Sequence, residues 1–363
     1  MNEALESKKI KKPISKRKII LITVICAIAV SVLVLPVMTV VVYETIFGMR
    51  YETSSWKSFS VEEFEGLCVE RSDFLAKDDI TLAGYKYYKP NQEAKGVVVL
   101  AHGIGTGHRA YMPFIDYFTS NGYYVFSYDA HGSDASEGRS VEGLPQGVAD
   151  LDYAINHVAT ISEYDGLDIV LFGHSWGAYS VGNVLNMHPE VKAAVMIAGF
   201  NESEDMLLYQ SRKYVGILTT VLLPYVEFYE EVKFGEYAKV SALDGMKNSE
   251  ASILIVQSKD DETVPVEFGY NKFYKEFAQN DRFEFVLYED KGHTLLFLSD
   301  EAIEYREKLN ENYETYIKEN KKRDTSRNEN AYMDENVDKA KGFELNPELM
   351  EQILSLYDRS CTE

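Results

Sequence analysis

The chain has 363 residues, 45% of them apolar and 26% charged, with a formal net charge of −21, a balance that excludes wholesale disorder. Lys8, Lys9, Lys11, Lys12, Lys16, Arg17 and Lys18 against Glu3 and Glu6 put +5 on the first 18 residues and leave −26 on the rest, too acidic a body to offer a groove to nucleic acid. Cys26, Cys68 and Cys361 show neither metal-ligand spacing nor a disulfide framework, and leave open only a single Cys68–Cys361 bridge.

Residues 1–18 read as a basic cytoplasmic tail. Ile19 to Val42 carries no charge over 24 residues, and a helix of that length exceeds the ~30 Å of a bilayer's hydrocarbon core. A transmembrane helix over 19–42 is therefore expected, with the basic tail inside and everything after it outside the cytoplasm. A cleaved signal peptide shares the basic start. This run, however, is longer than the usual apolar region of such peptides, and it ends in Val40-Val41-Val42-Tyr43 rather than at a small-x-small site. The expectation is a retained anchor in the cell membrane.

Residues 43–65 read as a connector. From 66 to 363 the pattern is that of one large folded unit. Residues 67–74 and 80–88 are expected to pair as strands across the polar turn Lys77-Asp78-Asp79. Gly96 to Ala101 is continuously apolar, as for a strand buried on both faces. Tyr124–Asp129, Asp168–Phe172, Ala193–Ala198, Ile253–Ser258 and Phe283–Tyr288 follow as strands. Between them Val148, Leu151, Ile155 and Val158, then Ala178, Val181 and Leu185, fall on helical faces. This alternation predicts an α/β fold, a doubly wound and mostly parallel sheet.

Two stretches interrupt it. At about 201–250, Tyr214, Ile217, Leu218, Val221, Leu222 and Tyr225 form a helical stripe around Pro224, read as a helical cap over the sheet edge and most simply as a packing face. At about 300–345 a charged helix to Lys321 gives way to a tract expected to be poorly structured. Asn346 and Pro347 then open a final helix whose Met350, Ile353, Leu354 and Tyr357 should dock on the sheet.

Gly173-His174-Ser175-Trp176-Gly177 has the G-x-S-x-G pattern between a predicted strand and a predicted helix, which exposes a serine hydroxyl on a tight turn. Such a hydroxyl needs a base, and the base needs a carboxylate to fix its tautomer. Asp260 and Asp261 follow one buried strand, and His293 follows the last, so the candidate catalytic set is Ser175, His293 and one of those two aspartates. The backbone N–H groups of Trp176 and Ile104 are the candidate oxyanion donors. His174 is expected to pack or to hydrogen-bond locally, and His157 and His188 to lie on the surface. Neither cofactor nor metal is implied.

His102-Gly103, Tyr128-Asp-Ala-His-Gly-Ser-Asp-Ala-Ser-Glu-Gly138, the serine pentapeptide, Asp261-Glu-Thr-Val-Pro265 and Gly292-His293 together resemble the α/β-hydrolase superfamily. The branch they are most similar to is the monoacylglycerol lipase and lysophospholipase-like group, which shades into serine aminopeptidase-like domains. The resemblance implies an α/β-hydrolase fold over about 66–298 plus the last helix, and it implies Asp261 as the acid, from the family's Asp-x-x-Val-Pro run. It further implies a serine hydrolase acting on carboxylic esters and, together with the anchor read from residues 19–42, lipid-like esters above all. A peptidase or amidase of the same fold is the alternative reading, and a non-catalytic surface module a third. The expected partners are a small-molecule or lipid ester and the membrane.

Overall fold

The computed structural model describes residues 15–361, without the side chains of Tyr214, Val215 and Leu218. Most of the basic tail, and those members of the cap stripe, thus lie outside the described residues. Helix α1 runs from Lys16 to Phe47 and is the one helix among the described residues long and apolar enough to cross a membrane. The Ser15 hydroxyl caps its start. Pro36 has no N–H to give the ladder and crowds the carbonyl four residues back. A π-helical turn at Val30–Val34 lies just before it, with Leu35 N–H reaching Val30. The helix continues past Val42, so the first part of the expected connector is helical.

Beyond Phe47 the connector is laced to the folded body. Tyr51 N–H donates to the Gly132 carbonyl at 3.0 Å, and Thr53 bonds both carboxylate oxygens of Asp134 at 2.6 Å. Strands β1 (Cys68–Arg71), β2 (Phe74–Leu75), β3 (Thr81–Leu82) and β4 (Gly84–Tyr88) come next; β1 pairs with β4 and β2 with β3, all antiparallel. Asp78 and Asp79 take the left-handed turn between them.

The main sheet has eight strands in the order β1-β4-β6-β5-β7-β8-β9-β10. Its later members are β5 (Val97–Ala101), β6 (Tyr124–Tyr128), β7 (Ile169–His174), β8 (Ala193–Ile197), β9 (Ser252–Ser258) and β10 (Phe283–Tyr288). From β6 to β10 every pairing is parallel, while β4 joins β6 antiparallel. Side chains alternate across a strand, so Val97, Val99 and Ala101 enter one core and Val98 and Leu100 the other. Both faces must therefore be covered by helices.

Helices α2 (Met112–Ser120), α3 (Leu144–Val158) and α4 (Trp176–Val184) supply that cover first. The cap follows as α5 (Ser203–Val215), α6 (Leu218–Phe234) and α7 (Ala242–Asn248), and α8 (Tyr270–Phe277) joins β9 to β10. The stretch after β10 holds α9 (Asp300–Glu319), α10 (Ser326–Asn336) and α11 (Lys339–Gly342). The tract after Lys321 is thus largely helical, which corrects the expectation of poor structure. Its few apolar groups explain this: Leu309, Tyr313 and Met333 form a small core of their own, with Trp56 of the connector against it. Trp56 Nε1–H donates to Asn330 at 3.0 Å, and the Arg306 guanidinium lies over the Trp56 and Phe343 rings.

The last helix, α12 (Pro347–Ser360), is capped by Asn346, whose side chain accepts from the Glu348 and Leu349 N–H groups. Met350, Ile353, Leu356 and Tyr357 are fully buried on the sheet, each such side chain contributing about 1.5–3 kcal/mol. Cys68 and Cys361 are free thiols, so no bridge closes the chain.

Candidate active site

Parallel strands end at one edge of the sheet, and the loops after β5, β7, β9 and β10 meet there. Ser175 follows β7 directly and adopts φ 56°, ψ −117°, a conformation that costs a non-glycine residue about 1–3 kcal/mol. Its surroundings hold it there. Ser175 N–H donates to the Ile197 carbonyl at 2.8 Å. A Cβ on Gly173 would lie 2.4 Å from the backbone of Gly177, and one on Gly177 would lie 2.0 Å from the Ala101 carbonyl oxygen. The flanking glycines are therefore what let strand, turn and helix close on one another.

Asp261 lies in the turn after β9, 3% exposed. Its Oδ1 accepts from the Thr263 and Val264 N–H groups, both at 2.8 Å, and its Oδ2 faces His293 Nδ1 at 2.7 Å. His293 Nε2 lies 2.9 Å from Ser175 Oγ. A carboxylate only accepts, so Nδ1 carries the ring proton and Nε2 is left to accept from the serine hydroxyl. Asp260 points elsewhere. Its Oδ1 accepts from Ser258 Oγ at 2.6 Å and from Gly292 N–H at 2.8 Å, tying the histidine loop to β9.

Tyr111 and His174 link the loop after β5 to the histidine loop. Gly103 N–H donates to Tyr111 Oη at 3.0 Å, Tyr111 O–H to His174 Nδ1 at 2.8 Å, and His174 Nε2–H to the His293 carbonyl at 3.0 Å. Burial, with the His293 ring beside it, pushes His174 down to about 3, which keeps this relay neutral. His174 thus packs and hydrogen-bonds, but not locally: its partners Tyr111 and His293 lie 63 and 119 residues away in sequence. Nothing in the sequence marked Tyr111.

Beneath the same loop, His108 donates both its backbone N–H and Nδ1–H to Asp129 Oδ1, at 3.0 and 2.7 Å. Burial alone would raise the Asp129 carboxyl, but His108 holds it below its ordinary value. The Tyr128-Asp129-Ala130-His131-Gly132 run was the available signal for this support.

Trp176 opens α4, so its N–H is one of those that no intrahelical carbonyl can take. Ile104 is 38% exposed and lines the same cavity as Ser175 and Trp176. His157 and His188 are not surface residues. His157 is half-buried, bonded to Ser72 and stacked on Phe74. His188 lies in the loop after α4 and is buried between Asp152 of α3 and Glu190 of the same loop, at 2.8 and 2.6 Å, the pairs that make its burial tolerable.

Ser175 opens into a cavity of about 610 Å³. Met206, Leu207, Leu222 and Val226 of the cap line it together with the end of α1 and the turn after it, between Thr39 and Met49. No described residue lining it is charged.

The doubly wound sheet matches solved structures of an esterase from Pyrococcus furiosus. The chain aligns to two of its crystal forms with TM-scores of 0.52 and 0.53, at 16% and 14% identity, over 72% and 75% of this chain and 95% and 98% of that one. The chain has the α/β-hydrolase fold. Within it, residues 92–235 match the family model of serine aminopeptidases, S33. A monoglyceride lipase homolog of monkeypox virus is 35% identical over 96 residues, which is 26% of this chain and 34% of that protein. An uncharacterized protein of Bacillus subtilis is 24% identical over 183 residues, half of this chain and 60% of the relative. The chain thus spans between a third and three-fifths of the length of these curated relatives.

Proposed function

We propose that the chain is a serine hydrolase, held in a membrane by α1, that cleaves carboxylic esters of acyl chains through an acyl-enzyme. The observation that carries this reading is the hydrogen-bonded series Asp261, His293, Ser175, at 2.7 and 2.9 Å, whose serine lines an uncharged cavity.

In this mechanism Ser175 Oγ attacks the ester carbonyl as its proton passes to His293 Nε2. Asp261 keeps the ring proton on Nδ1 and stabilises the imidazolium that forms. The oxyanion of the tetrahedral intermediate accepts from the N–H groups of Ile104 and Trp176. His293 returns the proton to the departing alkoxide, and a water activated by the same ring releases the acid.

The similarity to serine aminopeptidases favours a second reading, a peptidase. Such an enzyme must pair the substrate's ammonium with a carboxylate, since an unpaired charge in an apolar site is costly. The uncharged cavity lining speaks for esters instead. Retention of α1 as an anchor, rather than its cleavage as a signal, is supported by the burial of Thr39, Tyr43 and Phe47 near its end. The basic tail favours a cytoplasmic N-terminus and a catalytic body outside the cytoplasm, at the cell membrane.

The test is a panel of p-nitrophenyl esters of increasing chain length beside aminoacyl anilides, run on the full chain and on Ser175→Ala. The proposal predicts turnover of esters with a preference for longer acyl groups, abolished in the variant. Anilide turnover above ester turnover would favour the peptidase, and turnover that survives Ser175→Ala would overturn both.

A further inference from the structure

We infer that α1 is part of the substrate site as well as a tether: its last three turns form one wall of the acyl pocket, and the ester reaches Ser175 from the bilayer along the seam between α1 and α6. This rests on the esterase reading above.

Three observations carry the inference. First, α1 is a structural component of the cavity. Thr39, Val42, Tyr43, Ile46 and Phe47 line it beside Leu222 and Val226 of the cap, and Ser175 and Trp176 line it too. The two helices are fastened together by polar groups buried below them. Tyr43 O–H and Ser203 O–H each donate to Glu230 at 2.7 Å, and Glu44 takes Tyr229 O–H and Lys233 Nζ, both at 2.7 Å. Glu230 is only 3% exposed. A buried carboxylate of this kind needs both donors, so the cap's own packing depends on α1 being present.

Second, the helix reaches the pocket directly from the membrane-length run. About twenty residues of helix cross a hydrocarbon core, which uses Ile19 to about Met38. Those residues are exposed to their surroundings up to Val34, with Ile20, Val32 and Leu33 each more than 60% exposed, and Leu35, Pro36 and Met38 are partly covered. Burial begins at Thr39. The pocket wall therefore starts where the bilayer core ends, with no spacer to lift the catalytic edge away from the surface.

Third, the cap presents a matching apolar face. Ile217, Val221, Phe228 and Val232 are 89%, 50%, 68% and 67% exposed. Their spacing of four, seven and four residues puts them on one side of α6. An aqueous surface would select against such a stripe; beside a membrane-inserted α1 it has a natural surrounding, the interfacial layer of the bilayer. An acyl chain moving from that layer into the seam stays among apolar side chains all the way to Ser175. The occupant this geometry fits is the acyl chain of a membrane-resident ester.

The experiment uses the full chain in phospholipid vesicles. Val42→Trp and Ile46→Trp fill the pocket from the α1 side, and Leu33→Trp, on the same helix but outside the pocket, is the control. The ratio of long-chain to short-chain p-nitrophenyl ester turnover should fall about tenfold or more in the first two, as for a hydrophobic pocket shortened by a few methylenes, and should stay unchanged in Leu33→Trp. Intact folding is read separately from Tm. A long-chain monoacyl ester is then supplied either in the same vesicles as the protein or in separate, non-exchanging ones. The inference predicts turnover in the first arrangement and little in the second. An unaltered chain-length ratio, or equal turnover from separate vesicles, overturns it while leaving the esterase reading standing; absence of all ester turnover in the wild type removes that reading itself.

Discussion

The two walls of the cavity are built on different principles. The sheet edge carries Ser175, Asp261 and His293 on short loops after β7, β9 and β10, and every polar atom of the set is held at 2.7 to 2.9 Å by a partner that is itself fixed. The opposite wall is two helices, α1 and α6, that meet the cavity with apolar side chains and are fastened by the Tyr43, Glu230 and Ser203 contacts and the Glu44 to Lys233 pair. Proton transfer tolerates little displacement, so the first wall needs rigid geometry. An acyl chain asks only for shape and dryness, which two packed apolar helices can supply. Substitutions in the first wall should act on kcat, and those in the second on chain-length preference and stability.

The contrast breaks most sharply at the two neighbouring aspartates. Asp261→Asn should lower kcat about 10⁴-fold with the fold intact, because the amide no longer fixes the His293 tautomer. Asp260→Asn touches only the tether to Gly292 and Ser258 and should cost about a hundredfold at most. Steady-state kinetics with a short ester separates the two, and equal losses would show that the acid is misassigned.

On the helical wall a smaller effect is expected, and on a different quantity. Tyr43→Phe leaves the buried Glu230 carboxylate with Ser203 as its one side-chain donor, a loss of about 1–3 kcal/mol. Tm should fall while kcat for the shortest ester changes little, and a wild-type Tm would mean that α1 does not brace the cap.

The smallest effect is in pH. His174 is held neutral, its pKa pushed from 6.5 to about 3, so the folded state resists a proton that the unfolded chain accepts. That contribution is complete above about 6.5 and is lost as pH falls toward 3. His188 works oppositely: burial would lower it, but Asp152 and Glu190 outweigh burial and raise it, so its contribution is complete below the ordinary histidine value and fades as pH rises through the raised one. Wild-type Tm should therefore decline from pH 6.5 to 4, and His174→Gln should flatten that decline.

The chemical wall was legible because its constraints are local. A serine on a strained turn demands glycines two residues to either side, and strand ends followed by the Asp260–Asp261 pair and by His293 announce themselves through periodicity and turn chemistry, the choice of Asp261 coming from the family resemblance. The sheet was legible for a similar reason, since strands buried on both faces read as apolar runs. The helical wall was not. Thr39 lies in a uniformly apolar run and Tyr43 and Phe47 just beyond it, in what read as a connector, so the four-residue recurrence that packs on the cap was split between two expected segments. His188 read as a surface residue because its partner Asp152 lies outside its own loop, on α3. The stretch after Lys321 read as unstructured because its composition is polar; its order comes from Tyr332 against Tyr313 and Tyr316, and from Phe343 and Asn330 against Trp56, which is far away in sequence.

The central claim is that Ser175 is the nucleophile of this cavity. Full-length protein in vesicles, treated with a long-chain alkyl fluorophosphonate and mapped by peptide mass spectrometry, tests it most directly. The account predicts one adduct, on Ser175, absent in Ser175→Ala and lost when His293 is replaced by alanine. A folded protein that takes no label, or that carries the label on another residue, would contradict it.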